Sequence, residues 1–251
     1  TGTVVATFND KDVADATTVS FSGLSLSGAD AGNYTLTAHA DASQTISAKA
    51  LTISGLSSED KVYDGTKDAV VNGTAALQTA IAAGSGTSSD GKAYTGDTVS
   101  LTGTVVATFN DKDVADATTV SFSGLRLTGD DAANYTLTPH AVVSQGISKA
   151  VLTAKANDDA KFLTQADPAF TVSVTGFVNG ETSASAEGYA APTASRSGAD
   201  STAGLYNDVL VAAGGGADNY SFSYAAGDFT IVPADQLLVR VTDVSDTYGT
   251  S

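Results

Sequence analysis

Residues Thr1–Leu24 read TGTVVATFNDKDVADATTVSFSGL, and the same 24 letters recur at Thr102–Leu125. The match continues with substitutions. Ser25-Leu26-Ser27-Gly28 becomes Arg126-Leu127-Thr128-Gly129, and Asn33-Tyr34-Thr35-Leu36-Thr37 returns as Asn134-Tyr135-Thr136-Leu137-Thr138. Gln44 and Ile46 return as Gln145 and Ile147, again 101 residues on. Solenoid units run to ~20–50 residues, so this period is too long for a solenoid and matches one domain. The chain reads as domains in tandem.

A second echo sets the boundaries. Leu51-Thr52-Ile53, Leu152-Thr153-Ala154 and Leu238-Val239-Arg240-Val241 each open a stretch, and each is followed by an acidic turn and an aromatic, Tyr63, Phe162 or Tyr248. Residues 1–50 are then the C-terminal half of a repeat, 51–150 a complete repeat, 151–234 a module of a second type, and 235–251 the start of another. Half a β-domain leaves strand edges unpaired, so its partner strands are expected upstream or from a neighbouring copy. The sequence contains no Met, and Thr1 is expected to lie inside a longer polypeptide or to be a processed end.

Period-two alternation dominates, the mark of strands with one face on a core and one on water. It puts Val19 and Phe21 on one face, then Tyr34 and Leu36, then Phe170, Val172 and Val174, then Tyr220, Phe222 and Tyr224; Phe229-Thr230-Ile231 closes the module. Turns interrupt at Ser27-Gly28-Ala29-Asp30, Asp64-Gly65, Asn179-Gly180 and Gly214-Gly215-Gly216, where Asn-Gly and Asp-Gly suit positive φ. The fold class is all-β to β-rich: tandem modules of short antiparallel strands, β-grasp-like or sandwich-like, with at most one short helix each. Thr74–Ala83 has the composition of that helix and stops at Gly84; Gly84–Gly91 reads as a mobile loop.

Composition excludes several function classes. Twelve Lys and Arg against 28 Asp and Glu give a formal charge of −16, which disfavours nucleic acid and anionic membranes. With no Cys there are no disulfides, thiolate metal sites or cysteine nucleophiles. No apolar run reaches the length of a signal peptide or a membrane span, so any secretion signal or anchor is expected outside these residues.

Lys61-Val62-Tyr63-Asp64-Gly65-Thr66 resembles the signature of the YDG repeat family, and Gly28–Leu36 and its copy ending at Leu137 resemble that family's closing segment. Asp167-Pro168-Ala169-Phe170, Val174–Gly180, Asp218–Tyr224 and Phe229-Thr230-Ile231 resemble the MBG family, a mostly bacterial β-grasp module; Asp246-Thr247-Tyr248-Gly249 resembles the opening of one more. Two departures stand out. Ala75–Lys92 is longer than the family norm, and Asp159-Ala160-Lys161-Phe162 is a degenerate opening. The resemblance implies a large exported bacterial protein similar to filamentous-haemagglutinin-like adhesins of two-partner secretion. The implied setting is secreted and on the cell surface, and the implied role is adhesion, with host or matrix glycans or other cell surfaces as partners of the parent protein. It supplies no catalytic residues.

The residues agree with a non-enzyme. His39 and His140 are the only histidines, occupy one repeat position and have no nucleophile motif beside them. No catalytic, cofactor-binding or metal-ligating residue is assigned. Asn9–Asp15 and its copy Asn110–Asp116 read as solvated acidic turns; the alternative is a weak extracellular calcium site, although the EF-hand glycine and closing Glu are missing. Asp130-Asp131 and Asp158-Asp159 raise the same choice. Tyr34, Tyr135 and Tyr220 each follow Asn and read as core residues, with a glycan platform as the alternative. A Lys–Asn isopeptide crosslink is a further alternative. Function then reads as the structural or adhesive repeat region of a surface adhesin. Glycan-binding modules, and filaments assembled head to tail through the half-modules, are the alternatives.

Overall fold

The computed structural model describes residues 1–236; the third opening at Leu238–Val241 and the motif Asp246–Gly249 lie outside them. The described chain is built of short strands and two single-turn 3-10 helices, Ala31–Asn33 and Ala132–Asn134. It forms two compact units. The first holds residues 1–59, 68–110 and 119–145; the second holds 60–67, 111–118 and the chain from 146 onward.

In the first unit, Val5–Phe8, Thr18–Ser22 and Ala42–Ser43 make a three-stranded sheet. Their copies, Ser100–Phe109, Thr119–Thr128 and Val143–Ser144, form a sheet of the same order with Asp68–Ala69 added at the edge. A mixed sheet runs Tyr135–Thr138, Lys49–Ser57, Asn72–Ile81, Lys92–Tyr94. Leu51, Ala93 and Tyr135 are its buried centre, with Leu77, Leu127 and Leu137 packed around them.

The stretch expected as a helix is the strand Asn72–Ile81. Ile53 pairs with Leu77 and Ser54 with Ala76, so neighbouring strands satisfy backbone groups that a helix would have satisfied internally. Ala, Leu and Gln carry helix propensities of only tenths of a kcal/mol, and tertiary pairing overrides them.

The second unit packs two sheets face to face. One runs Val172–Thr175, Ala150–Ala156, Tyr220–Ala225; the other runs Asp159–Phe162, Gly227–Val232, Gly204–Ala213, Thr193–Arg196. Ala150–Ala156 alternates between buried and exposed at every residue. Its inward Ala154 and Ala156 meet Leu210, Ala212, Phe229 and Ile231, with Phe170, Val172, Val174 and Phe222 around them. Tyr224 departs from its expected inward place. It lies exposed, stacked on Phe222 at an interplanar angle of 15°, and its hydroxyl donates to the Gly214 carbonyl.

Two glycines set the close approach within the longest hairpin. Gly103 and Gly124 have φ of 111° and 89°, where side chains are strained. A Cβ on Gly124 would stand 2.0 Å from the Thr104 carbonyl oxygen, and the register shifts between Ser123 and Leu125.

Both module types share one device. Ala150–Lys155 runs parallel to Tyr220–Ala225, and Asp159–Phe162 runs parallel to Phe229–Val232. The opening arm of the module is thus laid along its closing arm. In the first unit Lys49–Thr52 runs parallel to Tyr135–Thr138, and in the second Lys61–Val62 runs parallel to Ile147–Ser148, at one common separation.

Candidate functional site

The two histidines are packing residues. His39 meets the Phe21 ring edge-on at 5.0 Å and His140 meets Phe122 in the same way. Each Nδ1 lies 2.7 Å from the next residue's carbonyl, which only accepts, so Nδ1 carries the proton and donates.

The acidic turns hold protein. Within the first loop Asp10 Oδ1 accepts the Asp12 amide, and Asn9 Oδ1 accepts the amides of Thr17 and Thr18. The loop thereby presents the Val13 amide and the Asp12 carboxylate side by side. Asn134 engages both: its Oδ1 accepts from Val13 N at 2.8 Å and its Nδ2 donates to Asp12 Oδ1 at 2.7 Å. In the second unit the copied loop does the same with another module type. Asn219 Oδ1 accepts from Val114 N at 2.8 Å and its Nδ2 donates to Asp113 Oδ1 at 2.7 Å. The Asn carboxamide carries an acceptor and a donor side by side, matching the amide and carboxylate that the loop presents. Lys11 and Lys112 also pair with Asp12 and Asp113. The Lys11 bond first, and then that of Asn134, lowers the Asp12 carboxyl. Among the described residues no cluster of three or more Asp, Glu or His is arranged to hold a metal ion.

The residue after each of these asparagines is a buried tyrosine on a carboxylate. Tyr135 OH donates to Asp97 Oδ2 at 2.5 Å and accepts from the Tyr94 amide. Burial, then the Asp97 bond, pushes its phenol up to about 12. Tyr220 OH donates to Glu181 Oε2 at 2.5 Å and accepts from the Val178 amide. Glu181 is delivered by the Asn179-Gly180 turn, whose φ values of 50° and 72° are those its sequence predicts. The other oxygen, Glu181 Oε1, accepts from Tyr63 OH at 2.7 Å, and the Tyr63 and Tyr220 rings meet edge-on at 5.4 Å. Burial first, and Glu181 second, raises both phenols.

Tyr63 belongs to the Lys61–Thr66 motif, a self-closed turn. Lys61 Nζ pairs with Asp64 Oδ1 at 2.7 Å and donates to the Thr66 carbonyl, while Asp64 accepts the Thr66 amide. Sequence reasoning found Tyr63 but missed Glu181; its signal was the Asn-Gly turn directly before it.

Among the described residues Lys49 is the one buried charged side chain, 8% exposed, with Nζ 2.9 Å from Asp90 Oδ1 and 4.1 Å from the Tyr94 ring centre. Its partner is a carboxylate, not the asparagine that the crosslink alternative requires. The Lys49 bond, aided by the Lys92 amide, lowers Asp90 to about 2. Tyr34, expected in a core strand, is 71% exposed and outside any strand, whereas its copy Tyr135 is buried and paired with Lys49.

No described helix is long and apolar enough to cross a membrane. In comparisons with known proteins, the family model described as the YDG domain matches residues 1–44 and 47–142, and that described as the MBG domain (YGX type) matches residues 152–230. No curated protein and no solved structure matches the chain.

Proposed function

Because the chain belongs to the YDG domain family, with an MBG domain following in tandem, we propose that it is a tension-bearing spacer in the repeat region of a large secreted bacterial surface adhesin. The observation that carries this reading is the parallel pairing of each module's opening and closing arms. Tension enters the second module at Ala150 and leaves at Val232, and these two ends belong to arms paired in the same direction. Pulling the ends apart slides the arms past each other along the strand axis. All the bonds between them then resist together, whereas a hairpin pulled from its open end yields one bond at a time. The two Asn–loop junctions, repeated with the same geometry, support a regular connection between successive repeats. The reading needs no enzyme activity, cofactor or nucleic acid, and the partners of the parent protein are glycans or other surfaces.

The test is single-molecule stretching. Pulled through residues 150 and 232, the second module unfolds at a force several-fold above that found when the same module is pulled through 195 and 211, a cross-strand pair of an antiparallel hairpin. Equal forces in both geometries overturn the mechanical reading. A second reading, weak glycan binding multiplied over many repeats, is favoured by the exposed Tyr224 stacked on Phe222.

A further inference from the structure

The first unit contains an open cavity of about 650 Å3 whose lining includes Ile46, Lys49, Tyr94, Asp97, Asn134 and Tyr135. The second unit shows what fills the matching place. There Tyr220 stands where Tyr135 stands here, each directly after an asparagine held by an acidic loop. Glu181 stands where Asp97 stands, each taking the phenol at 2.5 Å. Ile147–Ser148, the copies of Ile46 and Ser47, pair in parallel with Lys61–Val62. Lys61 N donates to the Gly146 carbonyl, Tyr63 N donates to the Ser148 carbonyl, and the Tyr63 phenol donates to the second oxygen of Glu181 with its ring edge-on to Tyr220. In the first unit Tyr135 and Asp97 form the same nest, Ile46–Ser47 is unpaired with any strand, and the cavity lies against them.

We propose that this cavity is the seat for a YDG-type Lys-Val-Tyr-Asp-Gly-Thr turn. The tyrosine would place its hydroxyl on Asp97 and its ring edge-on to Tyr135, and the two residues before it would extend the Ile46–Ser47 edge as a parallel strand. The chemistry selects a phenol. Asp97 already accepts from Tyr135 through one oxygen, and a second hydroxyl donor satisfies the carboxylate as Tyr63 satisfies Glu181. Together with the Asn–loop junction, this makes a two-point connection, so the sequence signature of the repeat is a docking element for its successor. The inference rests on the reading of the chain as abutting repeats but not on tension, since its test is made at rest.

The test is titration of the full chain with a synthetic peptide of the sequence Glu59–Asp68, followed by backbone and tyrosine NMR. The expected result is saturable binding in the millimolar range, because a short flexible peptide loses much entropy on ordering. Shifts should concentrate at Ile46, Ser47, Tyr94 and Tyr135. A peptide with Phe in place of its Tyr should bind about tenfold more weakly, the loss expected for a hydrogen bond to a charged group. D97N in the chain should do the same. Absence of saturable shifts at those residues, or equal binding by the Phe peptide, overturns the seat. The Phe peptide leaves the protein's own folding untouched, so its result stands even if D97N disturbs Tyr135. Failure here leaves the stretching result intact, and failure of the stretching prediction leaves the seat intact.

Discussion

Residues 1–24 and 102–125 are the same 24 letters in two environments. Val19 and Val120 are both buried, as are Ala16 and Ala117. The same three-stranded arrangement is therefore present in both places. Phe8, however, is 38% exposed and its copy Phe109 only 2%. Tyr34 is exposed and Tyr135 buried; Tyr34–Thr37 is irregular and Tyr135–Thr138 is a strand. An apolar groove of about 530 Å3 lined by Phe21, Leu24 and Leu36 shrinks to about 240 Å3 in the copy, where Ile53 and Leu56 enter its wall. What differs is the opening strand Lys49–Ser57 and its neighbours. The comparison separates what a local segment dictates, namely turns and hairpins, from what only a distant strand supplies.

The strongest attack on that comparison is to lengthen the chain by a second copy of residues 1–101 placed ahead of Thr1. The half-repeat then gains a counterpart of Lys49–Leu101. Phe8 and Tyr34 should become buried like Phe109 and Tyr135, and Leu36 half-buried like Leu137, each gaining a part of the ~1.5–3 kcal/mol that full burial of a large apolar side chain gives. Hydrogen exchange at Tyr34–Thr37 should slow to the rate at Tyr135–Thr138. If those amides stay fast, the missing strand is not the cause of the difference.

The next largest effect comes from the paired phenylalanines. Phe109→Ala empties a filled core position and should cost about 3–5 kcal/mol by denaturant unfolding. Phe8→Ala, on a more open site, should cost well under half of that. Similar losses would mean that burial does not set the value of this position. In the lengthened chain the cost of Phe8→Ala should rise to that of Phe109→Ala, which sharpens the same point.

The limits of sequence reading fall along the same line. The 101-residue period, the hairpin copies, the Asn179-Gly180 turn and the strand Ala150–Ala156 were legible because each depends on neighbours within a few residues. Thr74–Ala83 was misread because its pairing with Lys49–Ser57 is non-local, and its composition favours a helix only weakly. Gly103 and Gly124 lie in plain view inside alternating strands, a pattern that marks close backbone approach, yet their partnership spans a hairpin. The connection between repeats was the least legible. Tyr63 and Glu181 are 118 residues apart, and Asp113 and Asn219 are 106 apart. The acidic turns looked solvated, or suited to calcium, because an asparagine ligand from the following module has no local signature.

The smallest expected effect is a pH dependence that distinguishes Tyr135 from Tyr34. An unfolded tyrosine titrates near ~10, and Tyr135 in the fold is held up to about 12. The neutral phenol is therefore the form the fold favours. Its contribution is fully present below pH ~10 and is lost as pH rises toward 12, at the slope of one proton and to a total of order 2 kcal/mol. Tyr135→Phe removes this share of the alkaline slope, while Tyr63 and Tyr220, raised in the same direction by burial and then by Glu181, keep theirs. Tyr34→Phe, at the exposed copy, is the control. Thermal unfolding of the two variants from pH 8 to 12 checks this, and equal slopes for both would show that the Asp97 nest does not distinguish the copies. In the lengthened chain Tyr34 acquires its own aspartate, the counterpart of Asp97, so Tyr34→Phe should there reproduce what Tyr135→Phe does.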